Sequence, residues 1–173
     1  MSLKIIIIGG VAAGPKVAAK IMRLNPDADV TVLEKGKLLS YAGCGLPYYL
    51  SGLVKEQKDL MSTPAGVVRD AAFFQKVKNV KVLNETEALE IERARKRVRI
   101  RQQGQADDVW LDYDKLVLAT GARPVIPPIP NVQVENILTL HGYEAARIVQ
   151  GAGFTRVRIM EGGVAAWPFE KIR

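Results

Sequence analysis

A run of isoleucines closed by two glycines constrains this chain more than any other feature. The segment Lys4 to Ile8 contains four consecutive isoleucines, and Gly9-Gly10 follow directly. A continuous branched run predicts a strand buried on both faces of a parallel sheet, because a strand with one solvated face would alternate apolar and polar residues. Parallel strands are joined by crossovers, so a helix is expected next.

Helical spacing begins where the glycines end. From Ala13, the small or apolar residues Val17, Ile21 and Leu24 recur on one predicted face, and Asn25-Pro26 ends the pattern. Asp29 to Leu33 predicts a second buried strand, which is followed by Glu34. The beginning of the chain is therefore a strand-helix-strand unit of an α/β fold.

The remainder alternates between loops and short elements. We expect a loop-rich stretch from Lys35 through Cys44 to Gly52, a solvated segment at Lys55 to Asp59, and a helix within Val67 to Val77. Short alternating stretches predict a small antiparallel excursion. They are Val80 to Leu83, Ala88 to Ile91, Val98 to Arg101 and Val109 to Leu111. Leu116 to Ala119 predicts a further buried strand, and the prolines from Pro124 to Pro130 break regular structure.

Length and cysteine usage narrow the class of protein. A chain of 173 residues with 48% apolar composition suits one domain with a small appendage. No apolar run is long enough to span a membrane. The single cysteine, Cys44, cannot form an internal disulfide. We therefore expect a reducing compartment, the cytoplasm, and no membrane partner.

The net charge of +7 favours an anionic partner without identifying it. Arg97, Arg99 and Arg101 alternate with apolar residues, which predicts a strand with one solvated basic face. A nucleic-acid binder is one hypothesis, but no aromatic stacking pattern accompanies these arginines. We therefore expect no nucleic-acid partner. One cysteine and one histidine, His141, also provide no plausible metal-ligand set.

The turn after the first strand has the composition of a phosphate-binding loop. It consists of Gly9, Gly10, Val11, Ala12, Ala13 and Gly14. Gly9 permits a tight turn, Gly14 permits close helix packing, and the free N–H groups of the helix start attract a pyrophosphate. Val11 occupies the middle glycine position of the G-x-G-x-x-G pattern, whereas Glu34 is placed to accept hydrogen bonds from a ribose. An ordinary turn with a surface glutamate is the alternative.

Glycines on both sides of Cys44 leave room for a reactant, and a helix start after it would favour the reactive thiolate. An inert, buried cysteine explains the same residues equally well. The segment Ser40 to Gly52, however, resembles the active-site segment of the single-cysteine pyridine nucleotide-disulfide oxidoreductases. This group includes coenzyme A-disulfide reductases, persulfide reductases and NADH oxidases or peroxidases. The resemblance also includes the first turn with Glu34, Ser62-Thr63-Pro64 and Tyr113 to Pro124.

The resemblance, which spans roughly residues 3 to 140, implies a Rossmann-like FAD-binding domain. It implies Cys44 as the redox thiol and NAD(P)H as hydride donor. Because a second protein thiol is lacking, the partner sulfur or oxygen must come from a small molecule: a coenzyme A disulfide, a persulfide or a peroxide. The implied cofactor-binding residues are Gly9, Gly10, Val11, Ala12, Ala13, Gly14, Glu34, Lys35, Ala88, Ala119, Thr120 and Gly121.

Coenzyme A carries several phosphate charges, so a basic cluster is expected near the thiol. The resemblance implies Arg23 and Ser40 as coenzyme A contacts. Helical spacing adds Lys16 and Lys20 on the same basic face as Arg23, which is predicted to lie opposite Val17, Ile21 and Leu24. Gly43 is also predicted to belong to the substrate site, although relatives often have Asn there and glycine lacks the side-chain hydrogen bond of asparagine.

The last part of the chain resembles a different protein class. Residues 142 to 168 are similar to the end of a rhodanese domain, without its cysteine loop. We therefore predict an incomplete FAD-binding domain at 1–140 and a rhodanese-like remnant at 141–173, with the middle of a longer protein removed near His141. The relatives' nicotinamide-binding and dimerisation domains are not recognised. An inactive remnant that binds a nucleotide or a partner protein is the alternative function, and a homodimer and a monomer are both open.

Overall fold

The computed structural model describes residues 2–123 and 125. The chain divides into two compact units. The first comprises Met1–Ala42 and Met61–Gly121, and the second comprises Gly43–Leu60 and Ala122–Arg173. The predicted boundary at residue 140, His141 and the rhodanese-like segment 141–173 lie outside the described residues.

In the described part of the chain, seven strands and three α-helices form. The strands are β1 Lys4–Ile8, β2 Asp29–Leu33, β3 Lys81–Leu83, β4 Thr86–Glu92, β5 Arg97–Gln102, β6 Val109–Asp112 and β7 Lys115–Leu118. The helices are α1 Ala13–Leu24, α2 Leu46–Leu50 and α3 Ala71–Lys78.

The first unit contains a parallel and an antiparallel sheet, which confirms the predicted α/β class. The parallel sheet has the strand order β3-β2-β1-β7, with Ile6 of β1 between Thr31 of β2 and Leu116 of β7. The antiparallel sheet has the order β4-β5-β6. The predicted strand at Val80 to Leu83 forms as β3, but it pairs with β2 in the parallel sheet rather than joining the antiparallel excursion.

Strand β1 is buried on both faces, as its isoleucines predict. Ile5 and Ile7 pack in a cluster with Ala18 of α1 and Phe74 of α3. On the other face, Ile6 packs with Leu33, and with Val98 and Ile100 of β5. The parallel sheet therefore lies between a helical layer and the antiparallel sheet, which satisfies the need of both its faces for apolar cover.

Helix α1 has the predicted bounds but a different buried face. Gly14, Pro15 and Ala18 are its buried residues, with Val17, Ile21 and Met22 packed beside them. The prediction that Leu24 lies on the core face is wrong, since Leu24 is 71% exposed. The buried stripe is centred on Ala18, where a small side chain lets the helix approach the sheet closely.

Helix α3 occupies only the second half of the predicted segment. Val67 and Val68 belong instead to a tight loop, in which Thr63 N–H donates to Val67 O at 2.8 Å and Ser62 bridges Val68. Asp70 caps the helix because its carboxylate accepts a 2.8 Å hydrogen bond from Phe73 N–H. An N-cap residue fixes where a helix starts, and this signal overrides the apolar spacing before it.

The prediction of a buried strand at Leu116 to Ala119 is only partly right. Strand β7 forms there and pairs with β1, but it is the edge of the described sheet, and Leu118 is 64% exposed. Strand β5 forms as predicted, with Val98 and Ile100 buried and the arginines on its other face. Arg97, Arg99 and Arg101 are each ion-paired with carboxylates of neighbouring segments, which the sequence did not indicate.

The second unit contains short helical elements where a loop was expected. A 3-10 helix at Gly43–Gly45 leads into α2, and a second 3-10 helix covers Gln57–Leu60. Pro47 lies in the first turn of α2, where its missing N–H is tolerated. Leu46 and Leu60 are buried, whereas Lys55 and Asp59 are exposed as predicted.

Candidate functional site

The glycines of the first turn each have a separate structural cause. Gly9 has a φ of 115°, and a Cβ there would lie 2.1 Å from the carbonyl oxygen of Ala119. A Cβ on Gly14 would lie 1.8 Å from the carbonyl oxygen of Gly9. A Cβ on Gly10 would lie 2.7 Å from Cβ of Glu34. The turn is therefore closed by contacts with β7, with itself and with the end of β2.

The start of α1 presents backbone donors without a protein acceptor. The N-cap residue, Ala12, makes no side-chain capping bond, and the first turn has no acidic residue. Gly9 N–H donates to Leu33 O and Gly10 N–H donates to Glu34, but within residues 2–123 no hydrogen bond involves the N–H of Val11 or Ala12. Unpaired amides at a helix N-terminus are a binding site for an anion such as pyrophosphate.

Glu34 lies at the carboxyl end of β2, beside the glycine turn. Its Oε2 accepts a 2.6 Å hydrogen bond from Gly10 N–H, and its Oε1 accepts a 2.8 Å bond from Gly36 N–H. The next predicted residue, Lys35, directs its Nζ to Glu87 Oε1 at 2.7 Å, on the exposed surface. Sequence reasoning missed Gly36, although an E-x-G spacing directly after a strand was available as a signal.

The remaining predicted cofactor residues of the first unit lie at strand ends and at a bulge. Ala119 donates its N–H to Ile8 O at 2.8 Å, and Thr120 and Gly121 follow it in exposed positions. Ala88 precedes a β-bulge, since the pairing of β4 with β5 shifts register between Ala88 and Glu90. A bulge interrupts the hydrogen-bond ladder between two strands, so the pairing of β4 with β5 is irregular directly after Ala88.

The basic face of α1 is exposed. Lys16, Lys20 and Arg23 lie about 140–160° around the helix from Ala18, and all three are exposed. In the described part of the chain none of them forms an ion pair. Ser40 has a positive φ of 48°, and its N–H donates to Gly10 O at 2.9 Å. That bond ties the predicted coenzyme A contact Ser40 to the glycine turn.

The cysteine belongs to the second unit and is solvent-exposed. Cys44 lies in the 3-10 helix between Gly43 and Gly45, directly before α2. This exposure contradicts the alternative of an inert, buried cysteine. A Cβ on Gly43 would meet nothing within 4 Å, so packing does not require a glycine at this position.

The structure also contains a cleft that the sequence did not indicate. It has a volume of about 200 Å³ and is lined by Lys37, Leu39, Met61, Arg69 and Asn84, among others. Arg69 closes one side by donating from Nε to Met61 O at 2.8 Å. The cleft formed because the 61–69 loop folds back, which apolar periodicity could not predict.

The described residues offer neither a membrane-spanning helix nor a metal-binding cluster. No helix there is long and apolar enough to cross a membrane. No cluster of three or more histidine, cysteine, aspartate or glutamate side chains there could hold a metal ion.

Known proteins share this arrangement. The family described as pyridine nucleotide-disulphide oxidoreductase matches residues 3–166. A solved structure of an NAD-dependent persulfide reductase from A. fulgidus is 48% identical, with a TM-score of 0.78, over 86% of this chain and 27% of that one. The NAD(P)H sulfur oxidoreductase (CoA-dependent) of Pyrococcus furiosus is 37% identical over 79% of this chain and 28% of its own length.

A third relative, an NADH oxidase of Enterococcus faecalis, is 32% identical over 93% of this chain and 35% of its own length. The chain thus spans about a third or less of the proteins it matches, between 27% and 35% in these three comparisons.

Proposed function

Because the chain belongs to the pyridine nucleotide-disulphide oxidoreductase family, we propose that it binds FAD at the glycine turn and reduces a coenzyme A-linked disulfide or persulfide through Cys44. The observation that supports this most strongly is the start of α1, where the N–H groups of Val11 and Ala12 have no acceptor within residues 2–123. A tight glycine turn with unpaired amides suits a dinucleotide pyrophosphate.

Different residues of the first unit bind different parts of the nucleotide. The amides that begin α1 hold the pyrophosphate. Glu34 keeps about two lone-pair sites for ribose hydroxyls, since a carboxylate offers about four and the protein uses one on each oxygen. The backbone at the bulge after Ala88 contacts the adenine, and Thr120 and Gly121 close the site beside β7. Lys35 is included in the proposed nucleotide site because it follows Glu34 at the end of β2.

Cys44 performs the sulfur chemistry. Its thiolate attacks one sulfur of a coenzyme A disulfide, which forms a mixed disulfide and releases one coenzyme A thiolate. FAD held at the glycine turn would supply the two electrons, taken from NAD(P)H, for cleavage of this mixed disulfide. The second coenzyme A then leaves as a thiol after taking up a proton, and the Cys44 thiolate is restored. A persulfide follows the same sequence with sulfide as a product.

The exposed cations Lys16, Lys20 and Arg23 anchor the phosphates of coenzyme A, and Ser40 adds a hydroxyl contact. NADH and NADPH are both compatible with this proposal, as are a monomer and a homodimer. We propose a cytoplasmic location because the single cysteine cannot form an internal disulfide. We also propose that residues 141–173 derive from a rhodanese domain, although the family match itself continues to residue 166.

Flavin titration tests the nucleotide site. The substitution Ala12→Asp places a carboxylate where the pyrophosphate should bind, whereas Ala12→Asn adds a neutral side chain of the same size. We expect Ala12→Asp to weaken FAD binding by at least about tenfold through charge repulsion, and Ala12→Asn to have a much smaller effect. The measurement is quenching of flavin fluorescence. Wild-type protein that stays colourless with excess FAD would contradict the proposal and favour an inactive remnant.

Intact mass before and after a reductant tests the thiol. After incubation with coenzyme A disulfide, wild-type protein should gain one coenzyme A-sized adduct and lose it on reduction. The matched variant Cys44→Ser should gain none. An adduct that persists in Cys44→Ser, or its absence in a wild type that binds FAD, would refute the proposed role of Cys44.

A further inference from the structure

Glu34 makes hydrogen bonds to more segments of the site than a contact with the ribose alone would require. Its backbone N–H donates to Leu83 O at 2.9 Å, and its carbonyl accepts from Thr86 N–H at 2.9 Å. Its two carboxylate oxygens accept from Gly10 N–H and Gly36 N–H. All four polar groups of this residue are therefore bound, and they join the turn after β1, the segment after β2, the end of β3 and the start of β4.

The contact with Gly10 is steric as well as polar. A Cβ on Gly10 would lie 2.7 Å from Cβ and 3.1 Å from Cγ of Glu34. Gly10 does not have a positive φ, so its backbone conformation does not explain the glycine. The glycine is required because the side chain of Glu34 packs directly against it, which brings the carboxylate within 2.6 Å of the Gly10 amide.

This geometry separates the amides of the turn into two groups. Gly9 N–H is bound to Leu33 O and Gly10 N–H to Glu34. The N–H groups of Val11 and Ala12, directly before α1, have no acceptor in the described residues. Fixing the first two peptides in place restricts the orientations open to the next two, since only two soft dihedral angles per residue lie between neighbouring peptide planes.

We propose that Glu34 is a positioning residue for the pyrophosphate turn, which it holds in its binding shape before any nucleotide arrives by clamping the Gly10 and Gly36 amides. This inference rests on the proposed dinucleotide site but assigns Glu34 a role that does not depend on the ribose. A carboxylate is needed for it. The carboxamide of a glutamine has one acceptor oxygen, so its NH₂ end would meet one of the two donors.

A comparison of nucleotides with and without ribose hydroxyls separates the two roles. The probes are ADP and 2′,3′-dideoxy-ADP, titrated into the full chain by calorimetry, with Glu34→Gln against the control Glu56→Gln, whose exposed carboxylate pairs with Lys58. We expect Glu34→Gln to weaken both nucleotides by about tenfold or more, as for loss of a charged hydrogen bond, and Glu56→Gln to weaken neither. If Glu34→Gln weakens ADP but leaves dideoxy-ADP unchanged, Glu34 contacts only the ribose and the inference is overturned.

Amide hydrogen exchange in nucleotide-free wild-type protein gives a second measurement that needs no variant. The Gly10 and Gly36 amides should exchange more slowly than those of Val11 and Ala12. Equal rates would overturn the clamp. If wild type binds neither ADP nor FAD, the proposed function fails, whereas slow exchange at Gly10 and Gly36 would still support the clamp.

Discussion

Close contacts with individual atoms explain why three positions of the turn after β1 are glycine. Gly9 faces the carbonyl of Ala119, Gly14 faces the carbonyl of Gly9, and Gly10 faces the side chain of Glu34. The middle glycine of the usual pattern is replaced by Val11, and a glycine occurs instead at position 10. The glycine pattern of this chain therefore records packing against β2 and β7 as much as contact with a phosphate.

Replacing Gly9 by alanine should destabilise the fold strongly. Its Cβ would lie 2.1 Å from a backbone oxygen, at a φ of 115° that is unfavourable for L-residues. We expect a loss of more than about 2 kcal/mol in the free energy of unfolding. The control Gly66→Ala, with a φ of 78° and no atom within 4 Å of the added Cβ, should lose about 1 kcal/mol. Urea denaturation measures both, and equal losses would contradict the role of the Ala119 contact.

Among the elements, β5 is held in place by ion pairs as well as by the burial of Val98 and Ile100. Arg99 donates to Glu90 of β4 and to Asp108, and Arg101 also donates to Asp108. Arg97 pairs with Glu92 and stacks 4.2 Å from the ring centroid of Trp110. Cross-strand pairs of this kind fix register, so these arginines orient β4, β5 and β6 relative to one another.

The stabilisation by Asp108 should depend on pH. Hydrogen bonds from Arg101, and then from Arg99, lower the pKa of Asp108 below its usual value of 3.8. A lowered pKa means that the folded state favours the carboxylate, so the stabilisation is complete above 3.8 and is lost as the pH falls through the folded value. Asp108→Asn should therefore have a lower melting temperature than wild type at neutral pH, with a difference that narrows in acid.

Thermal unfolding from neutral pH to below the usual pKa measures this difference. Asp107→Asn is the matched control, because it removes the neighbouring exposed carboxylate and no ion pair among the described residues. A difference for Asp108→Asn that stays constant across the acid range would show that its charge does not stabilise the fold.

For the molecule as a whole, the net charge of +7 is not evenly available to partners. The arginines of β5 face carboxylates, whereas Lys16, Lys20 and Arg23 of α1 are exposed and have no ion pair in the described residues. The positive field that reaches solvent therefore comes more from α1 than from β5.

Retention on heparin should identify the source of this field. Two triple variants remove the same net charge: Lys16, Lys20 and Arg23 to alanine, or Arg97, Arg99 and Arg101 to alanine. We expect the α1 variant to elute at clearly lower salt than the β5 variant, since only unpaired cations release counterions on binding a polyanion. Circular dichroism confirms that both variants fold. The reverse order would revive the nucleic-acid hypothesis for β5.

The local sequence pattern was sufficient to predict an element where the residues that specify it all lie within that element. The isoleucine run predicted β1, and the spacing after Ala13 predicted α1 with its bounds, since each signal lies within one element. The position of Leu24 was mispredicted because helical spacing defines a stripe without fixing its centre. The late start of α3 was missed because the apolar pattern from Val67 concealed the Asp70 cap.

The sequence by itself determined the buried strand, the first helix and the position of the glycine turn between them, because these depend on residues that are close in the chain. Only the tertiary structure placed β3 in the parallel sheet, paired the β5 arginines with acids and brought Glu34 against Gly10 and Gly36. Those contacts depend on which strands become neighbours. Apolar periodicity specifies that a strand is buried but not which strand it pairs with.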